Sequence, residues 1–258
     1  MRSKKAGQVT SLVAVIVFIF ACVVFNGASA RTSKNAAPQQ EGPMPKLMNY
    51  VSAFKVESFE RVKDDFILRL RNISDKGISA YSYSFGPVNR PTNRHDTDGL
   101  IGDIVIYPDA VEEIQIPAIA LVRSAKGSPR HESIINIAAV VFEDRTVEGD
   151  QKITAFITDR RLGEKIQLER IHRLLKEALN TTGGDITSKL SNLEARIAAL
   201  SEEPETGQSD AVKTGLHSAK ENVLYLLRDH LTTGAVDINK QEALKHVANQ
   251  TEEWLFKY

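Results

Sequence analysis

The chain contains a single cysteine, Cys22, and that one falls in an apolar stretch near the N-terminus. Without cysteine downstream, disulfide staples, thiol catalysis and cysteine-ligated zinc are excluded together, so the remainder must hold itself by an ordinary apolar core. Net charge is also missing, since 33 Lys and Arg balance 33 Asp and Glu. A neutral chain with no basic patch has no electrostatic footprint for nucleic acid or for anionic lipid. Catalytic signatures are scarce as well. There is no Gly-x-Ser-x-Gly, and Glu169-Arg170-Ile171-His172 is a lone Glu-x-x-His, where a di-iron bundle needs two copies and two further carboxylates.

What is present begins at the N-terminus. Arg2, Lys4 and Lys5 precede an apolar run at 12–25 and a small-residue stretch at 26–30. That order is the order of a secretory signal, and Ala28-Ser29-Ala30 fits an A-x-A site, so cleavage after Ala30 is expected. The alternative is an uncleaved membrane anchor, but the apolar run is shorter than the roughly 20 residues needed to span a bilayer. Cleavage would leave 30 basic against 33 acidic side chains in an exported chain, periplasmic or extracellular, with no membrane span of its own.

Residues 31–46, "RTSKNAAPQQEGPMPK", carry too little apolar surface to order themselves and are expected to form a tether. From 47 to 149 short β-branched and aromatic runs alternate with turn residues. Strands are expected at 49–58, 65–72, 78–85, 102–107, 111–117, 134–143 and 146–149. In "DDFILRLRN", Phe66, Leu68 and Leu70 alternate with Ile67, Arg69 and Arg71, the period of a half-buried strand. Roughly seven strands in ~100 residues suits an antiparallel β-sandwich of immunoglobulin-like architecture. The polar segments 86–103 and 122–133 are expected to be long loops, where such folds often carry binding surface.

From 150 to 258 the spacing becomes helical. Ile186, Leu190, Leu193, Ile197 and Leu200 step by four, three, four and three, and further stripes run through Ile171, Leu174 and Leu175, through Val212, Leu216, Ala219 and Val223, and through Leu244, Val247 and Trp254. The 186–200 stripe spans about two heptads, fewer than the three or four of a convincing coiled-coil seam. The junction "DQKITAFITDRRLGEK" is expected to open a helix at about Lys152 that runs to Asn180, capped by Asp150 and tolerating Gly163 at a cost of about 1 kcal/mol against Ala. Asn239 with Glu242 fits a second helix cap. The fold expected is therefore α+β: a sandwich at 47–149, then an all-α region at 150–258.

Several clusters invite a chemical reading. Glu143, Asp144, Glu148 and Asp150 lie within "VVFEDRTVEGDQ" and could suggest a carboxylate hydrolase, yet a turn explains them, with Glu143 and Asp144 solvating it, Glu148 across from Arg145, and strain at Arg145. In "RHDTDGLIGD", aligning Gly99 with the glycine of a calcium loop puts Arg94 and Val105 where acidic ligands belong, so no metal is expected. Ser52-Ala53-Phe54-Lys55 and Lys213-Thr214-Gly215 match penicillin-binding elements only superficially, being expected in a strand and a helix respectively. Tyr81 and Tyr83, with Tyr107, could stack on a glycan, although the same alternation also builds a sandwich core. Asn72, Asn180 and Asn249 begin N-x-S/T triplets. No cofactor is implied. These readings converge on a non-enzymatic exported protein acting through protein contacts or self-association, with glycan or small-ligand binding as the alternative.

Overall fold

The computed structural model describes residues 44–87, 93–98, 103–118, 132–181, 183, 185–232 and 237–258. The expected signal at 1–30, the tether up to 43, and much of the two long polar loops lie outside the described residues.

Alternation builds the first sheet. In β3 (Asp65–Asn72), Phe66, Leu68 and Leu70 point inward and are buried, while Arg69 and Arg71 point outward. This strand is central in an antiparallel sheet with β2 (Phe54–Val62) and β6 (Val111–Pro117). On the outer face Arg69 bridges Glu113 at 2.9 Å and Glu60 at 3.1 Å. Exposed pairs of this kind specify register more than they stabilise.

The second sheet runs β1 (Lys46–Asn49), β7 (Ser133–Phe142), β4 (Ile78–Pro87) and β5 (Asn93–Asp98), with β8 (Val147–Gly149) pairing the end of β7. Its pairs are antiparallel except one: β1 lies parallel to β7, from Lys46 opposite Ile134 to Asn49 opposite Ile137. Lys46 therefore opens a strand and does not end a tether. The strand β5 occupies part of a segment expected to be loop, pairing Tyr83 with His95, and its Asn, Asp and Arg content conceals it from propensity. Of the strand expected at 102–107, the described residues 103–107 contribute only an isolated bridge, Ile106 to Ile78.

Both sheets contribute to one apolar core. Phe54, Phe66, Leu68, Leu70, Ile114 and Ile116 from the three-stranded sheet pack with Tyr81, Tyr83, Phe85, Ile135 and Ile137 from the other. On the opposite face of β4, Ala80 packs with Val141 and with Ile157 of the first helix. With both faces covered, β4 and β7 are buried almost throughout, which erases the simple in-and-out alternation of a surface sheet.

Four helices follow among the described residues: α1 (Gln151–Asn180), α2 (Ile186–Ala198), α3 (Asp210–Thr232) and α4 (Asp237–Phe256). The apolar stripe of α1 is divided. Ile153, Phe156 and Ile157 lie against the sheet, whereas Leu168, Ile171 and Leu175 join Leu193, Ile197, Val223, Val247 and Trp254 in a separate helical core. That division explains why the first turns of α1 carry strand-like Ile, Thr and Phe and still form a helix. Helix α4 starts two residues before Asn239, whose side chain lies outside the described residues. Strand and helical parts belong to one compact unit.

Candidate functional site

The four carboxylates between Glu143 and Asp150 separate into four unrelated contacts. Glu143 accepts the Gly77 N–H at 3.0 Å. Asp144 pairs with Lys76 at 2.6 Å and accepts the Thr146 N–H at 3.0 Å, and the Lys76 ammonium, with help from Thr146, lowers its carboxyl to about 2. Glu148 does not lie across from Arg145; it accepts the Ser52 N–H and, at 3.3 Å, the Ala53 N–H, pinning the β1–β2 connection. Asp150 caps α1, accepting from the N–H groups of Lys152 and Ile153 at 2.8 and 3.1 Å.

Between them the chain reverses through a three-residue loop. The Phe142 carbonyl accepts the Arg145 N–H at 2.9 Å, the Phe142 N–H donates to Thr146 at 2.9 Å, and Arg145 has φ of 69°. This is the arrangement in which a left-handed residue closes a hairpin, a position glycine usually fills.

The tyrosines expected to offer a stacking face are divided. Tyr81 and Tyr83 are 3% and 9% exposed, inside the core, where Tyr81 meets Phe54 edge to face and stacks on Tyr83. Burial pushes the hydroxyls of both upward, and that of Tyr81 donates to Glu112 at 2.9 Å. Neither ring can be approached by a sugar, because the same alternation that aligned them turned them inward. Tyr107, at 63% exposure, is the member of the trio that reaches solvent.

The acidic run around His95 is likewise resolved by partners within the chain. His95 stacks on Tyr83 and Phe85 at 5.3 Å from each ring. Asp96 pairs with Arg94 at 2.7 Å, and Asp103 with Lys257. Asp98 is held by Arg160 and, at 2.6 Å, by Arg161, whose guanidinium also donates to the Ser79 hydroxyl and carbonyl at 3.1 Å. Gly99 lies outside the described residues, and among those described no group of three or more His, Cys, Asp or Glu is placed to hold a metal ion.

The Asp98 cluster joins two arginines, a carboxylate and a serine, and sequence reasoning missed it. Its three charged side chains are only 12 to 16% exposed. It fastens α1 to both β4 and β5. On the next turn of α1, Glu164 lies 3.8 Å from Arg160 and accepts the Tyr258 hydroxyl; burial raises its carboxyl above the usual glutamate range. Breaking a buried pair strands the remaining charge, so loss of one partner costs more than the pair as a whole contributes to stability. The available signal was the doubled Arg160-Arg161 one turn beyond the apolar Ile153, Phe156 and Ile157 that lie against the sheet.

Other flagged residues take structural roles. Ser52 lies in the β1–β2 connection and Lys213 on α3, where it pairs with Glu203 at 2.7 Å. His172 approaches Glu252 of α4 at 3.9 Å, not its motif partner Glu169, and burial lowers its ring below the usual histidine value. Lys220, 8% exposed, binds Glu202 and donates to the Ala198 and Leu200 carbonyls at 3.3 Å, closing the C-terminus of α2. Asn72 is fully buried, its amide donating to Lys76 and Ile106 carbonyls, so its triplet offers no acceptor for a glycan. Asn180 and Asn249 are exposed.

Compared with known proteins, the chain matches no protein-family model and no curated protein. The class defined by the fold is a mixed α and β protein with two sheets and four helices among the described residues, joined across a buried ion cluster. No described helix is long and apolar enough to cross a membrane.

Proposed function

We propose that this is an exported, non-enzymatic protein of the cell envelope or extracellular space that works through protein contacts, with its strand part an immunoglobulin-like β-sandwich behind a cleaved signal. The carrying observation is an exposed apolar end on the strand part. Tyr50, Ile73 and Tyr107 are each more than half exposed. Their loops are tied together by hydrogen bonds from Ile73 N–H to the Ala53 carbonyl at 2.8 Å and from Asp109 N–H to the Asn72 carbonyl at 2.9 Å. Aromatic and branched side chains fixed on a hydrogen-bonded rim are the kind of surface proteins use for recognition. Engagement of Glu143, Asp144, Glu148 and Asp150 in separate contacts weighs against a carboxylate hydrolase, which needs two of them free across a cleft.

A photo-crosslinking residue at position 107, with position 225 on α3 as an equally exposed control, tests this reading in the native envelope. A discrete protein adduct from 107 and none from 225 is expected. Retention of the protein on envelope polysaccharide, lost with Tyr107→Ala and without any protein adduct, would replace the proposal by glycan binding. N-terminal sequencing of the exported product checks cleavage after Ala30.

A further inference from the structure

We propose that Lys257 and Tyr258 form a salt-sensitive latch that fastens the end of α4 to the helical part and the strand part together. Tyr258 reaches back to α1, its ring packed on the helical core and its hydroxyl donating to Glu164. Lys257 reaches the other way, to Asp103 in the connection that leads from β5 to β6. The two side chains therefore diverge from adjacent positions onto elements far apart in sequence.

Between the latch and the helical core lies a weak point. Phe256 is 93% exposed and contributes almost no burial, so beyond Trp254 and the partly buried Leu255 the helix end depends on the Lys257 ion pair and on Tyr258, through its ring and its hydroxyl. Behind Tyr258, Glu164 faces Arg160, Arg161 and Asp98, so closure places the tyrosine over the cluster that docks α1 on β4 and β5. The Lys257–Asp103 pair is half open to solvent, where added salt screens it, whereas the Asp98 pairs are shielded. Salt is thus expected to release the outer anchor first. Opening frees the last turn of α4, which carries Trp254, a residue 8% exposed when closed and part of the helical core on which Tyr258 packs.

Trp254 is the only tryptophan of the chain, so its fluorescence reports the latch directly. Acrylamide, a neutral quencher, is applied to the full chain at low and high salt. In the unmodified protein the quenching constant is expected to rise with salt, and in Tyr258→Phe and Lys257→Ala to be raised at low salt by at least about twofold, as for a local opening. Asp103→Asn is the decisive variant, because it touches only the strand-side anchor; the latch requires the same rise. Hydrogen exchange distinguishes opening from general weakening: acceleration confined to the end of α4 supports the latch. Unchanged quenching in Asp103→Asn, or equal acceleration in β3 and β7, would overturn it.

Discussion

Gly163 and Gly215 face each other across the crossing of α1 and α3. A Cβ on Gly163 would stand 2.0 Å from the Val212 carbonyl oxygen, and one on Gly215 would stand 1.9 Å from that of Arg160. The contact is therefore backbone against backbone, and any side chain forces the helices apart. Helix propensity alone favours alanine by about 1 kcal/mol at each position. Overpacking reverses the sign, so Gly163→Ala and Gly215→Ala should each lose about 1–3 kcal/mol of stability. Urea denaturation measures this, and a raised midpoint in either variant would exclude the close crossing.

Asp150 supplies a second prediction at the point where strands give way to helices. Its carboxylate satisfies two of the N–H groups that the first turn of α1 leaves unpaired. Asp150→Ala should cost about 0.5–2 kcal/mol, while Asp150→Asn, which retains a side-chain oxygen, should cost much less. Equal melting curves for all three proteins would reject the cap.

Arg145 tests the hairpin that separates the acidic residues. Its φ of 69° places it in the left-handed region, open to glycine, tolerable for asparagine and strongly disfavoured for a β-branched residue. Stability is expected to fall in the order Gly, Asn, Arg, Val at this position. A Val variant with the wild-type denaturation midpoint would contradict the left-handed turn.

Features that depend on local spacing were legible before the structure. The β3 alternation, the Asp150 cap, the unfavourable Arg145 turn and the long helix ending at Asn180 all follow from neighbours a few residues apart. Features set by distant partners were not. Parallel pairing of β1 depends on residues near 135, the inward turn of Tyr81 and Tyr83 depends on the facing sheet, and Glu148 finds Ser52 nearly a hundred positions away. Gly163 read as a tolerated flaw because its reason, the Val212 backbone, lies on another helix. Asp98 read as part of a long polar loop because Arg160 and Arg161 are brought to it only when α1 docks on the sheet.

The titrations of Glu164 and Asp144 should oppose one another. Burial holds the Glu164 carboxyl above its ordinary value, so the folded state binds its proton more tightly than the unfolded chain does. Its contribution to stability is full below the unfolded pKa and is lost as pH rises through the raised folded value. Asp144 has the reverse sign: the Lys76 ammonium and Thr146 lower it from 3.8 to about 2, so its contribution is present above 3.8 and disappears as pH falls toward 2. Urea midpoints followed from neutral to strongly acidic pH should therefore show the wild type gaining on Glu164→Gln through the mildly acidic range. At the acid end the wild type should lose ground against Asp144→Asn, which has no charge left to neutralise. The Asp144 arm will be the smaller of the two in high salt, because that pair is open to solvent and Glu164 is not. If Glu164→Gln tracks the wild type throughout the mildly acidic range, the carboxyl is not held in the buried environment beside Arg160 and Tyr258.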